Sequence, residues 1–212
     1  MEELLYHPKL QQSRPDTVKE SLLTELQGVK ERVEQQKQQG YIVAVVHLSG
    51  DLTHSAHIAL MNTIRKRMEQ EVNKPFKILV GVESDDRTEA RKNKKNVFAE
   101  EERKYIFENM KAVDKAYIEF EHIDEQTNDK RPCGIIQYLE PNIMVSHEEH
   151  IPNEEEQEVR ERLQAMGSDL MVIQYDDQEK YGEHDFRISH QRTTTNTIKQ
   201  ILSLYRDHPK YN

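Results

Sequence analysis

Between Tyr41 and Tyr175 the chain alternates short, dense apolar runs with longer stretches of helical periodicity. The runs are Tyr41 to Leu48, Phe76 to Val82, Ala116 to Phe120, Asn142 to Val145 and Asp169 to Tyr175. They show little polar alternation, the pattern of strands buried on both faces. Helical stretches lie between and after them, at Ser55 to Glu71, Glu100 to Ala112, Gly134 to Leu139, Glu154 to Met166 and Thr194 to Tyr205. Pro75, Pro141 and Gly167 stand where helices should stop. Strand and helix alternating in this way predict an α/β fold: a Rossmann-like, doubly wound, five-stranded, mostly parallel sheet with right-handed crossovers. In such sheets ligands sit beyond the carboxyl ends of the strands.

Ahead of the first strand, Leu22, Leu26, Val29 and Val33 recur at helical spacing, Thr17 and Glu20 make a capping-box pattern, and Gly40 is a stop signal. This added N-terminal helix is expected to pack on the side of the domain, with a dimer-forming coil as the alternative. The chain therefore divides into an arm and amphipathic helix over 1–39, a main domain over 40–206 and a tail over 207–212.

Composition narrows the function. A formal charge of −9 over 212 residues, a third of them charged, argues against nucleic acid or an anionic membrane surface as the main partner, since both need a basic face. Cys133 is the single cysteine, which excludes an internal disulfide framework and suits a reducing compartment. No run of about 18 apolar residues is present, and MEELLYHPKLQQ lacks the form of a signal peptide, so a cytoplasmic protein is expected.

Three clusters could carry chemistry. His54 and His57, three apart at a helix start, can face the same way and suit a polyphosphate; a zinc pair and incidental caps are the competing readings. In ARKNKKNVFAEEER, Arg91, Lys92, Lys94 and Lys95 form a basic loop in an acidic protein, with Arg103 on the following helix; a solvated charge run is the alternative. In ISHQRTTTNTI, hydroxyl residues before an amphipathic stretch offer either a phosphate cradle or a plain helix cap. His147 and His150 are at i and i+3, where a metalloprotease helix needs i and i+4, so that segment is expected to be a surface loop.

These clusters, in this order, resemble the cytidylyltransferase-like nucleotidyltransferases, nearest to the heptose-phosphate adenylyltransferase and glycerol-phosphate cytidylyltransferase branch. The resemblance spans roughly residues 36 to 203. LSGDLTHSAH supplies Asp51, His54 and His57 of the first motif, and GVESDD supplies Ser84 and Asp85 of the second. Lys92 and Arg103 fall at the family's distances beyond Asp85, Val113 and Asp114 match its Val-Asp signature, and Arg192, Thr193, Thr194 and Thr195 match its last helix start. Leu48 stands where the family has glycine, Gly50 where it has phenylalanine, Ala56 where it has glycine, and VSHEEH replaces its Lys-Gly-Gly-Asp stretch.

The resemblance implies transfer of a nucleoside monophosphate from ATP or CTP to a phosphorylated small-molecule acceptor, with release of pyrophosphate. His54, His57, Lys92 and Arg192 would be catalytic, through charge stabilisation and positioning. Leu48, Ser49, Gly50, Asp51, Arg103, Thr193, Thr194 and Thr195 would bind the nucleotide, and Asp51 would contact a magnesium ion (Mg2+). A homodimer is expected from the resemblance and the apolar stripe of the first helix. A non-catalytic nucleotide-binding or regulatory protein on the same scaffold is the alternative.

Overall fold

A computed structural model describes residues 15–92, 95–119, 133–151 and 153–181. The described elements are helix α1 (Asp16–Gln38), β1 (Ile42–Leu48), α2 (Ser55–Glu71), β2 (Phe76–Glu83), α3 (Asp85–Lys92), α4 (Glu100–Glu108), β3 (Lys115–Glu119), α5 (Cys133–Leu139), β4 (Ile143–His147), α6 (Asn153–Ala165), β5 (Asp169–Ile173) and α7 (Asp177–Tyr181). The five strands form one sheet in the order β3-β2-β1-β4-β5. Every described pairing is parallel, with Val46 opposite both Val80 and Val145. The order reverses between β1 and β4, which puts the switch point beside the loop that follows β1.

Strand alternation sorts the core into two layers. Val43 and Val45 of β1, Leu79 of β2 and Tyr117 of β3 pack with α1, α5 and α6. Ala44 and Val46, Ile78, Val80 and Val82, and Ala116 pack with α2 and with Phe107 of α4. Both faces of the sheet are therefore apolar, which is why the strands read as unbroken hydrophobic runs.

Helix α1 belongs to this core. Leu22, Leu26, Val29 and Val33 are all 5% exposed or less, worth about 1.5–3 kcal/mol each in buried apolar surface. Lys30 and Lys37 donate to the carbonyls of Tyr138 and Glu140, both at 2.8 Å, and Lys104 of α4 pairs with Glu25 at 2.5 Å. The stripe is covered within the chain, so it supplies no dimer seam. The start of α1 also differs from expectation: Pro15 precedes its first turn and no side chain caps it. Gly40, at φ +85°, is the stop the sequence signalled.

Two further elements depart from the sequence reading. Residues 85–92 form α3, so Arg91 and Lys92 end a helix where a basic loop was expected. His147 is the last residue of β4 and only 7% exposed, and Glu148–His150 form one 3-10 turn, so this segment is partly interior. The expected helix Thr194 to Tyr205 lies outside the described residues.

Candidate active site

The loop between β1 and α2 is built by backbone geometry first. Gly50 has φ +63° and Leu52 φ +50°, a tight turn that reverses the chain at the carboxyl edge of the sheet. A Cβ at position 50 would stand 2.4 Å from Phe107 Cε2, so the ring from α4 fills the space a side chain would need. Glycine is required there on both counts. Thr53 Oγ1 donates to the Gly50 carbonyl at 2.9 Å and closes the turn.

Two fully buried polar side chains then tie this loop to the segment that follows α3. Asp51 is 0% exposed, and its Oδ1 accepts from the backbone N–H groups of Val97 at 2.8 Å and Phe98 at 3.3 Å. Arg103, also 0% exposed, donates to the Ser49 carbonyl, to the Phe98 carbonyl at 3.2 Å and to Asp85 Oδ1 at 2.5 Å. Asp85 in turn accepts from Asn96 Nδ2 at 2.9 Å and from the Glu100 N–H at 3.2 Å. Asp51 and Arg103, expected as contacts of a nucleotide, are interior in this structure and brace the loop through Asp51 Oδ1 and the Arg103 guanidinium. Buried charge of this kind is tolerated only when it is paired and hydrogen-bonded.

The struts present His54 and His57 at the start of α2. His54 has extended backbone and its Nδ1 accepts from the Ala56 N–H at 3.3 Å. His57 Nδ1 accepts from the His54 N–H at 3.3 Å. The pair thus caps its own helix with imidazole nitrogens. Because each Nδ1 accepts, the proton of each neutral ring sits on Nε2, a donor suited to a phosphate oxygen. The rings lie 4.3 Å apart at 56°, and Phe107 meets the His57 ring edge-on at 6.2 Å. Both histidines therefore stand together at a helix N-terminus, where the macrodipole favours an anion.

Leu48 closes β1 opposite Val82 and packs partly buried on the apolar layer, while Ser49 offers its carbonyl to Arg103. Lys92 ends α3, with its side chain outside the described set; Lys95 is exposed. Arg192, Thr193, Thr194 and Thr195 lie outside the described residues. Ala56 is 8% exposed. Beyond β4 and β5, His147 meets Tyr175 edge-on at 4.6 Å, and Tyr175 donates its hydroxyl to Glu149. Burial, with the Glu149 and Glu148 carboxylates, pushes the Tyr175 phenol well above its usual range and keeps it a donor.

Asp51, the expected magnesium contact, is enclosed, and its Oδ1 takes two backbone amides. Among the described residues no group of three or more His, Cys, Asp or Glu could hold a metal ion.

Sequence reasoning missed a second buried cluster on the other face of the same edge. His47 Nδ1 and Arg87 share the carboxylate of Glu119, Arg87 Nε reaches Glu83 at 3.3 Å, and Thr88 Oγ1 donates to Glu83 at 3.2 Å. The available signal was a histidine inside VAVVHL and a glutamate at the end of each of the next two strands.

A family model described as cytidylyltransferase-like matches residues 50–200, well over half of the chain. Among solved structures, a lipopolysaccharide core biosynthesis protein from Thermoplasma volcanium GSS1 is 18% identical over 63% of this chain and 94% of its own, with a TM-score of 0.43. No curated protein matches. No helix of the described residues is long and apolar enough to cross a membrane.

Proposed function

The chain belongs to the cytidylyltransferase-like family, and from that premise we propose that it transfers a nucleoside monophosphate from ATP or CTP to a phosphorylated small molecule, releasing pyrophosphate. Membership supports nucleotidyltransferase activity in general; the observation that carries the finer reading is the His54–His57 pair, its Nδ1 atoms engaged by backbone amides, which leaves Nε2 as the donor of each neutral ring. In this reading a phosphate oxygen of the acceptor attacks the α-phosphorus in line and pyrophosphate leaves. No protein nucleophile is needed, so the protein's contribution is positioning and stabilisation of charge. His54 and His57 hydrogen-bond the phosphates as negative charge shifts to the leaving group, and the N-terminus of α2 adds its dipole. Lys92 is assigned to the same phosphates from its place at the end of α3, and Arg192 with Thr193, Thr194 and Thr195 from the motif they match.

Asp51 and Arg103 enter as positioning residues that hold the β1–α2 loop. Magnesium enters with the triphosphate in this reading, and no step is assigned to it. Two measurements test the proposal. Thermal unfolding with ATP or CTP and magnesium should show one nucleotide stabilising by about 2.7 kcal/mol at 100 times its dissociation constant. Pyrophosphate release should then appear when phosphorylated acceptors are added; nucleotide binding without release over a broad acceptor panel would leave a binding or regulatory protein.

A further inference from the structure

The His47 ring reaches the carboxyl edge of the sheet with one nitrogen accounted for and one not. Its Nδ1 faces a Glu119 oxygen, and an ionised carboxylate only accepts, so Nδ1 carries the ring proton. In the neutral ring Nε2 is then a lone-pair acceptor. That Nε2 is buried, and among the described residues no donor reaches it. Buried acceptors are nearly always satisfied, and an orphan acceptor at the carboxyl edge of the sheet asks for a missing donor.

The ring is also held from behind. Glu119, 1% exposed, gives its second oxygen to Arg87, and Arg87 is anchored on Glu83. Turning the imidazole over would break the carboxylate contact. Space for this arrangement is opened by Gly81: a Cβ there would lie 3.1 Å from His47 Nδ1 and 2.9 Å from the Tyr117 hydroxyl. A glycine inside a buried strand carries a conformational cost, and here it admits two polar side chains. His47, Gly81, Glu83, Tyr117 and Glu119 lie on the α1 side of β1, β2 and β3, at the end where parallel sheets hold ligands.

We propose that His47, aimed by Glu119, is a specificity residue that takes a hydrogen bond through Nε2 from a hydroxyl of the acceptor. This rests on the transferase reading above. The phosphates of the reaction call for donors, which His54 and His57 supply; His47 supplies an acceptor, and so reads a different part of the substrate. Glu119 is a positioning residue, since it acts through the imidazole.

The test uses the full chain with ATP or CTP, magnesium and pairs of phosphorylated acceptors, polyol and sugar phosphates, that differ by one hydroxyl. The wild type should favour the hydroxylated member of at least one pair by on the order of 10²-fold in kcat/KM, as sites built around a hydroxyl do. His47→Phe should keep triphosphate binding and lose that preference to within about threefold, and Glu119→Gln should fall between. Histidine-ring nitrogen spectra of the wild type give a reading that needs neither turnover nor a folded variant. They should place the proton of neutral His47 on Nδ1, and Nε2 should shift saturably with a glycerol or sugar phosphate but not with inorganic phosphate. A ring proton on Nε2, an unmoved Nε2 with every hydroxylated phosphate, or undiminished discrimination in His47→Phe overturns the proposal. Absence of pyrophosphate release together with the expected ring signature counts against the transferase reading alone.

Discussion

The two sides of the sheet's carboxyl edge are built from the same strands by opposite means. On the α2 and α4 side, Val46 and Val82 lead up to a loop packed on Phe107, with Asp51 and Arg103 as its buried struts. On the α1 side, alternate residues of those strands end in His47, Glu83 and Glu119, which Arg87 of α3 joins in an ionic network in place of apolar packing. The first side fixes backbone: its polar atoms bind N–H and C=O groups of the loop. The second fixes a side chain: carboxylates and a guanidinium hold one imidazole. A loop that must cradle phosphate needs rigid main chain, whereas recognition of a particular acceptor needs one aimed atom.

The comparison can be broken hardest at Arg103. Arg103→Met removes every donor from the Ser49 and Phe98 carbonyls and from Asp85 that this side chain provides. Urea unfolding should show a loss of about 3–5 kcal/mol, the usual result of removing one partner from a buried pair. Next in size, His57→Ala should cost only about 1 kcal/mol of stability, through the lost cap of α2, while pyrophosphate release falls by on the order of 10²–10³, the usual cost of a lost charge-stabilising donor. Wild-type turnover in that variant would remove the phosphate role. Gly50→Ala should cost about 1–3 kcal/mol through overpacking against Phe107, and Gly50→Ala combined with Phe107→Leu should recover part of it.

The smallest effect lies at the opposite end of the sheet. Burial of Asp114 opposes its ionisation, but the Ile78 N–H at 2.9 Å, Lys77 at 3.0 Å and Arg65 at 2.6 Å outweigh this and hold it below the ordinary 3.8. A lowered folded value means that its stabilisation is present above pH 3.8 and is lost as pH falls through the folded value. Asp114→Asn should therefore be less stable by about 1 kcal/mol at pH 7 and converge with the wild type in acid. A constant difference across that range would show that the contribution is not electrostatic.

Much of the fold was legible because it rests on local pattern. Five apolar runs became five strands, and α2 spans the Ser55 to Glu71 of its helical periodicity. Helix α3 was missed because DDRTEARK carries only one apolar residue, so periodicity had nothing to register. Asp51 and Arg103 were legible as important but not as buried. Their motif spacing says that they come together, while their depth depends on Val97, Phe98 and Asp85, which other segments bring.

By itself the sequence determined the alternation of strand and helix, the parallel class of the sheet, and the pairing of His54 with His57 at one helix start, since all three follow from spacing along a single segment. Only the tertiary structure decided which of the polar residues face inward, that α1 covers its own sheet, and that His47, Arg87 and Glu119 meet. The physical reason is that burial and ion pairing are set by contacts between segments far apart in the chain, 72 residues for His47 with Glu119 and 32 for Arg87 with Glu119. No local period encodes them.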